Sequence, residues 1–155
     1  MKLKQLQLLT TTAALFLAIS FFVGCRSNSD ESTVFQAARQ NVHTGNFAAG
    51  IKGLNAFDSR FPKSQFASRS SFLIAKCQLG LGEFELSKQA FDETIVRFPD
   101  SLEAKKSAYK LAEIDFLKGE IESGREKLNE ITSGPANPYM PEAVAKLKTL
   151  EALNP

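Results

Sequence analysis

Two thiols, Cys25 and Cys77, and one imidazole, His43, are the side chains of this 155-residue sequence with the widest chemical repertoire. A thiolate can act as nucleophile or metal ligand, and an imidazole as general base or ligand. A single histidine supplies one ligand and no more, so neither a metal triad nor a His-paired acid–base site can be assembled around it. No Gly-x-Ser-x-Gly elbow, Gly-rich phosphate loop or closely spaced cysteine pair accompanies these groups. The acidic stretches "GEFE" (82–85) and "GEIE" (119–122) stand where helices begin, so their carboxylates favour the positive dipole end and do not form a catalytic dyad. His43 reads as a residue at a helix C-terminus, where its imidazole meets the negative end. Cys77 reads as a small buried hydrophobe. No catalytic residue, cofactor site or metal site is expected, and the chain is read as a non-enzyme.

Cys25 sits in a different setting. Lys2 and Lys4 give a positive start, and the apolar run "AALFLAISFFV" (13–23) leads to Gly24 and Cys25. A spanning helix needs roughly 20 apolar residues, and Thr10, Thr11 and Thr12 dilute any longer window. Residues 1–24 are therefore read as an export signal, with an uncleaved anchor helix as the alternative. The stretch "FVGC" resembles the bacterial lipobox through Val23, Gly24 and Cys25; Phe22 departs from the usual Leu. The resemblance implies cleavage before Cys25, a diacylglyceryl thioether on its sulfur and acylation (such as palmitate) of its new amino terminus. Two or more acyl chains give stable anchoring. It further implies a lipidated tether over 25–31, and Arg26 after the lipid cysteine fits outer-membrane sorting. With Cys25 lipidated, Cys77 has no thiol partner; without lipidation, a Cys25–Cys77 bridge is conceivable in an oxidising compartment.

The chain carries 19 basic and 17 acidic residues, and removal of Lys2 and Lys4 with the leader makes the two equal. Binding to a phosphate backbone needs a basic footprint, so no nucleic-acid partner is expected.

The elements that must position everything else are written in a repeat. "FPKSQFA" (61–67) and "FPDSLEA" (98–104) share a Phe-Pro-x-Ser-x-x-Ala pattern 37 residues apart, and the turns "GNF" (45–47), "GEF" (82–84) and "GEI" (119–121) keep the same period. Self-similarity at a fixed period of this size marks a repeat architecture. Each glycine ends a helix in the left-handed conformation. Pro99 disfavours α geometry at Phe98, and Ser101 stands where an N-cap oxygen is wanted. Helices are predicted near 32–44, 47–61, 64–81, 84–98, 101–118 and 121–132. A seventh follows "SGPANPYMPEA", with Met140, Val144, Leu147, Leu150 and Leu153 on one face as the cap of a solenoid. Phe84, Phe91, Ile95 and Phe98 form an apolar stripe with Phe91 as a buried anchor, beside a small face of Ser87, Ala90 and Thr94. Nothing alternates like a strand. The expected fold is all-α: a solenoid of three helical hairpins over 32–155 with a C-terminal capping helix.

This pattern resembles the tetratricopeptide repeat. Pro62 and Pro99 match its closing proline, Ala38, Ala75 and Ala112 its small first-helix position, and Leu54, Phe91 and Leu128 its bulky second-helix position. Ser87 and Gly124 stand where alanine is usual, and the signature tryptophan is missing. The longer period, with three extra residues after the proline, is similar to BamD-like lipoproteins of the outer-membrane barrel-assembly machinery and to the repeat domain of CpoB (YbgF) proteins. The resemblance implies an interaction scaffold in the cell envelope, lipid-anchored in the outer membrane and facing the periplasm. Its partners would be protein or peptide segments of envelope proteins, and its membrane contact the lipid anchor. A Tol–Pal or cell-wall adaptor, and a non-catalytic regulatory subunit of an envelope enzyme, are the alternatives. It also implies that first-helix positions one period apart line a concave groove: Phe35, Phe72 and Tyr109; Arg39, Lys76 and Glu113; Val42, Leu79 and Phe116. Two readings of the aromatic row stand, pockets for a partner peptide or packing between adjacent first helices. Lys88, on the convex helices, reads as a surface charge.

Overall fold

The structure, a computed structural model, describes residues 31–153. The leader, Cys25, the tether before residue 31 and the side chain of Leu153 lie outside the described residues. Seven helices follow one another: α1 (31–43), α2 (Phe47–Arg60), α3 (Ala67–Gly80), α4 (Phe84–Arg97), α5 (Leu102–Lys118), α6 (Ile121–Ser133) and α7 (Met140–Leu153). No strand occurs among the described residues. Short connections force consecutive helices to return antiparallel, and each packs on the next, while α3 also touches α5.

The three glycine turns are one structure written three times. Gly45, Gly82 and Gly119 have φ of 76°, 77° and 79°, the left-handed region that a Cβ disfavours. In each, the glycine N–H donates three residues back and the following N–H donates five back, as in Gly119 to Phe116 O (3.1 Å) and Glu120 to Asp115 O (2.8 Å). These are Schellman closures, satisfying carbonyls that the helix end leaves unpaired.

The two Phe-Pro turns begin alike and then diverge. Phe61 and Phe98 leave helical geometry with φ −129° and −135°, as a residue before proline must. Arg60 and Arg97 each place a guanidinium 5.0 Å from the ring centroid of the following phenylalanine, so arginine belongs to the repeated motif. Ser101 then accepts from the Ala104 N–H at 3.0 Å and caps α5. Ser64 instead accepts from the Phe66 N–H at 2.9 Å and donates to Glu31. As a result α3 starts at Ala67, three residues later than the sequence predicts. The cause is Phe66, whose ring stacks on Phe35 at 4.7 Å, holding residues 64–66 as a turn. The equivalent residue one period on is Glu103, which makes no such demand.

Packing repeats with the same period. Ala38, Ala75 and Ala112 are 4, 0 and 0 % exposed, and Leu54, Phe91 and Leu128 are 0, 0 and 1 % exposed. Small residues allow the helices of a pair to approach, and the bulky row fills the space between pairs. Ser87 Oγ donates to the Ala75 carbonyl at 2.9 Å and Ser71 hydrogen-bonds Thr94 at 2.7 Å, so the polar members of the small face are satisfied. Phe84 departs from the expected apolar stripe and is exposed, while Phe91 packs on Phe72. On α7 the buried residue is Ala143, with Leu147 packed against it, and Val144 points to solvent. Of the expected face, Met140, Leu147 and Leu150 are half-buried and, among the described residues, only Val144 is exposed.

A concave groove as the candidate functional site

The first helices of successive hairpins line one side of the solenoid. At its C-terminal end, between α3, α5 and α7, lies a cavity of about 490 Å³ floored by Leu79, Tyr109 and Phe116. Lys110, Glu113 and Lys146 supply its charged rim. Tyr109 stacks on Tyr139 of the α6–α7 connection, with centroids 5.7 Å apart and planes 26° apart. Burial pushes the Tyr109 phenol up, and Glu113 and Glu142 add to the effect, so it remains a neutral donor and acceptor. Lys146 of α7 places its ammonium 5.4 Å from the Phe116 centroid, and Lys110 pairs with Glu113 at 2.5 Å. Phe116 is seated from below by Gly124 of α6, where a Cβ would meet the ring at 2.7 Å.

Such an arrangement offers aromatic and aliphatic surface, a few fixed charges and no nucleophile, which suits side chains of a bound segment. The structure brings together Leu79, Tyr109 and Phe116 from the expected rows, with Glu113 beside them. Two members need correction. Phe35 is wholly buried between Phe57 and Phe66, and Phe72 is buried against Phe91, so neither ring can meet a partner. Phe57 and Phe91, on the second helix of the same hairpin, cover the two rings, and Phe66 and Lys106 of the following chain close over them. At the third rung the following chain is the α6–α7 connection, and Tyr109 stays half-buried beside the cavity. Val42 is also buried, half-buried Arg39 lies on α1, and Lys76 is exposed on α3; all three are outside this cavity. Lys110, Tyr139 and Lys146 carry no signal of this role in the sequence. Nothing in the repeat pattern shows that α7 folds back to place Lys146 over Phe116.

Behind the groove, Lys88 proves not to be a surface charge. Its ammonium lies 2.7 Å from Asp115, which is 0 % exposed, and Lys127 reaches the other carboxylate oxygen at 2.6 Å. Ser123 donates to that oxygen at 2.7 Å. Burial pushes the Asp115 carboxyl up, but the hydrogen bonds from Lys127, Lys88 and Ser123 outweigh it and hold it at about 2. Asp115 thereby ties α4, α5 and α6 together. Cys77 is buried, and burial pushes its thiol up to about 11, which makes it a poor nucleophile. His43 is exposed as the last residue of α1. Among the described residues no group of three or more His, Cys, Asp or Glu is placed to hold a metal, and no helix is long and apolar enough to cross a membrane.

Residues 27–150 match the sequence profile of the family YfiO, described as outer membrane lipoprotein. No curated protein matches the chain by sequence. Among solved structures, the Yersinia enterocolitica type III secretion chaperone SycD, crystallised with a peptide of the translocator YopD, is similar with a TM-score of 0.66 and 14 % identity, covering 83 % of this chain and 97 % of that one. PcrH in complex with the chaperone binding region of PopB is similar with a TM-score of 0.61 and 12 % identity, covering 79 % and 95 %. At these identities the likeness is one of fold, that of a helical-hairpin repeat.

Proposed function

We propose that this chain, which belongs to the YfiO family of BamD-like outer membrane lipoproteins, is a non-catalytic scaffold that holds a protein segment in its concave groove. Cys25 would carry the lipid anchor, with the repeat domain facing the periplasm from the outer membrane. A role in assembling outer-membrane proteins is the family-level reading. The observation that carries the scaffold is the cavity built from Leu79, Tyr109 and Phe116 with its mixed-charge rim. An open cavity bordered by several helices, with aromatic surface and a charged rim, fits side chains of an extended or helical segment. Two proteins of similar fold are known in complex with segments of other proteins, and this supports the same use of the groove here.

A photoreactive residue at position 110 or 146 should crosslink to a protein partner in native membranes, whereas one at position 52, on exposed α2 surface, should not. Lys146→Glu should remove most of the crosslinking from position 110. Reversal of an exposed charge leaves stability within roughly 0.5 kcal/mol, so misfolding does not confuse the result. Equal crosslinking from all three positions would sink the groove as the binding site.

A further inference from the structure

A cluster of exposed apolar side chains starts at the rim of the groove, where Leu117 lines its cavity, and runs to the edge formed by the glycine turns. Leu81, Phe84, Leu117 and Ile121 are 45, 37, 68 and 41 % exposed. All four flank the second and third turns, and an ion bridge holds those turns side by side. Lys118 Nζ lies 2.5 Å from Glu85 and 2.8 Å from Glu120. The first turn shows what is different about the later ones. There the Phe47 ring covers Gly80 so closely that a Cβ at that position would collide with it. One period after Gly80 stands Leu117, so Phe84 has no such seat.

Apolar side chains scattered singly on a surface need no explanation, but a cluster with a charged frame does. The frame here is acidic. Glu83, Glu85, Glu120 and Glu122 interleave with the apolar residues, and the side chains of Glu85 and Glu122 are 75 and 84 % exposed. Lys118 pairs with Glu85 and Glu120, Lys88 with Asp115 and at 3.5 Å with Glu120, and Arg125 lies 3.9 Å from Glu122. The carboxylates are thus partly neutralised and outnumber the cations left to meet them. An anionic lipid surface would be repelled by these carboxylates. A helix with one apolar face flanked by Lys or Arg would match both features.

We infer that the edge of the second and third glycine turns is a second docking surface, which takes a basic amphipathic segment of a partner protein. It lies at the opposite end of the helices from the start of α1, so its occupant approaches from the side away from the tether. Apolar contact with Phe84 and Ile121 supplies affinity, and the glutamates supply orientation and salt dependence.

The probe is a fluorescein-labelled synthetic helix of Leu and Lys, compared with its Leu/Glu counterpart, added to the mature chain from residue 25 carrying Cys25→Ser, so that neither leader, lipid nor detergent is present. The Lys peptide should bind and weaken with salt, and the Glu peptide should not bind. Phe84→Ser with Ile121→Ser should weaken binding about tenfold or more, as loss of two apolar contacts does. Glu83→Lys with Glu122→Lys should do the same, while Lys52→Ser with Lys148→Ser, exposed on α2 and α7 away from the edge, should leave binding intact. Circular dichroism should show the edge variants folded at the assay temperature, with melts lowered modestly by the packed part of Phe84 and Ile121. Equal binding of both peptides, no binding at all, or binding unchanged in the edge variants would overturn the inference. So would a dimer of the parent, seen by ultracentrifugation, that the Phe84→Ser, Ile121→Ser pair abolishes, because a second copy would then be the occupant.

Discussion

A fully buried aspartate is retained only where its charge is met, and Asp115 is met three times, by Lys88, Lys127 and Ser123. Its carboxyl is held at about 2 against an ordinary 3.8, so the folded state binds its proton less readily than the unfolded chain. The sign follows from linkage: the stabilisation is complete above about pH 4 and is lost as pH falls toward 2. From the size of the shift it is about 2 kcal/mol at neutral pH. Asp115→Asn should destabilise the fold at pH 7 by about 2 kcal/mol or more, because Lys88 and Lys127 also lose their carboxylate, and should lack this part of the acid sensitivity. Urea unfolding of parent and variant from pH 7 to pH 2 measures both. Lys88→Glu would set two carboxylates against each other beside a buried charge, and should cost about 3 kcal/mol or more in the same assay. A parent insensitive to Lys88→Glu would mean that Asp115 is held by Lys127 and Ser123 alone.

Between elements, the distance of closest approach is set by one position of the second helices, occupied in turn by Gly50, Ser87 and Gly124. All three are buried, but their surroundings differ. A Cβ at Gly50 would stand 2.9 Å from Val42 Cγ2 and 3.3 Å from Cys77 Sγ, both buried in the first core cluster. A Cβ at Gly124 would stand 2.7 Å from the ring of Phe116, which borders an open groove and can swing away. Gly50→Ala should therefore cost about 1–3 kcal/mol, as overpacking in a filled core does. Gly124→Ala gains up to about 1 kcal/mol of helix propensity, which offsets the displaced ring and leaves stability within about 1 kcal/mol of the parent. It should still alter the groove, seen as a shift of the Phe116 ring resonances and a changed crosslinking yield at position 146. Equal destabilisation by both substitutions would show that α6 packs on α5 as rigidly as α2 packs on its neighbours.

For the molecule as a whole, geometry relative to the membrane follows from the proposed anchor at Cys25. The six residues Arg26 to Glu31 span at most about 20 Å, so α1 begins close to the lipid surface. Because the helices alternate in direction, the Phe-Pro turns share the end where α1 starts, and the glycine turns lie at the other. Intact mass of the mature protein should show two or three acyl chains on an N-terminal Cys25, and Cys25→Ser should release the protein from membranes. An unmodified chain still beginning at Met1 would refute the anchor. Lengthening the tether with Gly-Ser residues should weaken crosslinking at position 110 if the partner segment lies near the membrane.

Period and turn chemistry are legible in the residues alone, because they are local. Gly45, Gly82 and Gly119 need only their own left-handed backbone, and Ser101 needs only the N–H three residues on. Ala38, Ala75 and Ala112 with Leu54, Phe91 and Leu128 keep one spacing, and a repeated spacing in helices must be a repeated contact. The groove is legible in part, since Leu79, Tyr109 and Phe116 follow from the same period. What the period hides is that equivalent positions have unequal neighbours. Phe35 and Phe72 are enclosed between an aromatic ring of their own hairpin and a side chain of the following segment, while Tyr109 meets a connection unlike the other two and borders an open cavity. Asp115 draws its partners from 27 residues before and 12 after, and one period earlier the corresponding positions are Gln78, Ile51 and Ala90, so no repeat foretells the clamp. Burial of a charge and closure of a groove depend on which chain segment arrives from elsewhere, and only the tertiary structure decides that.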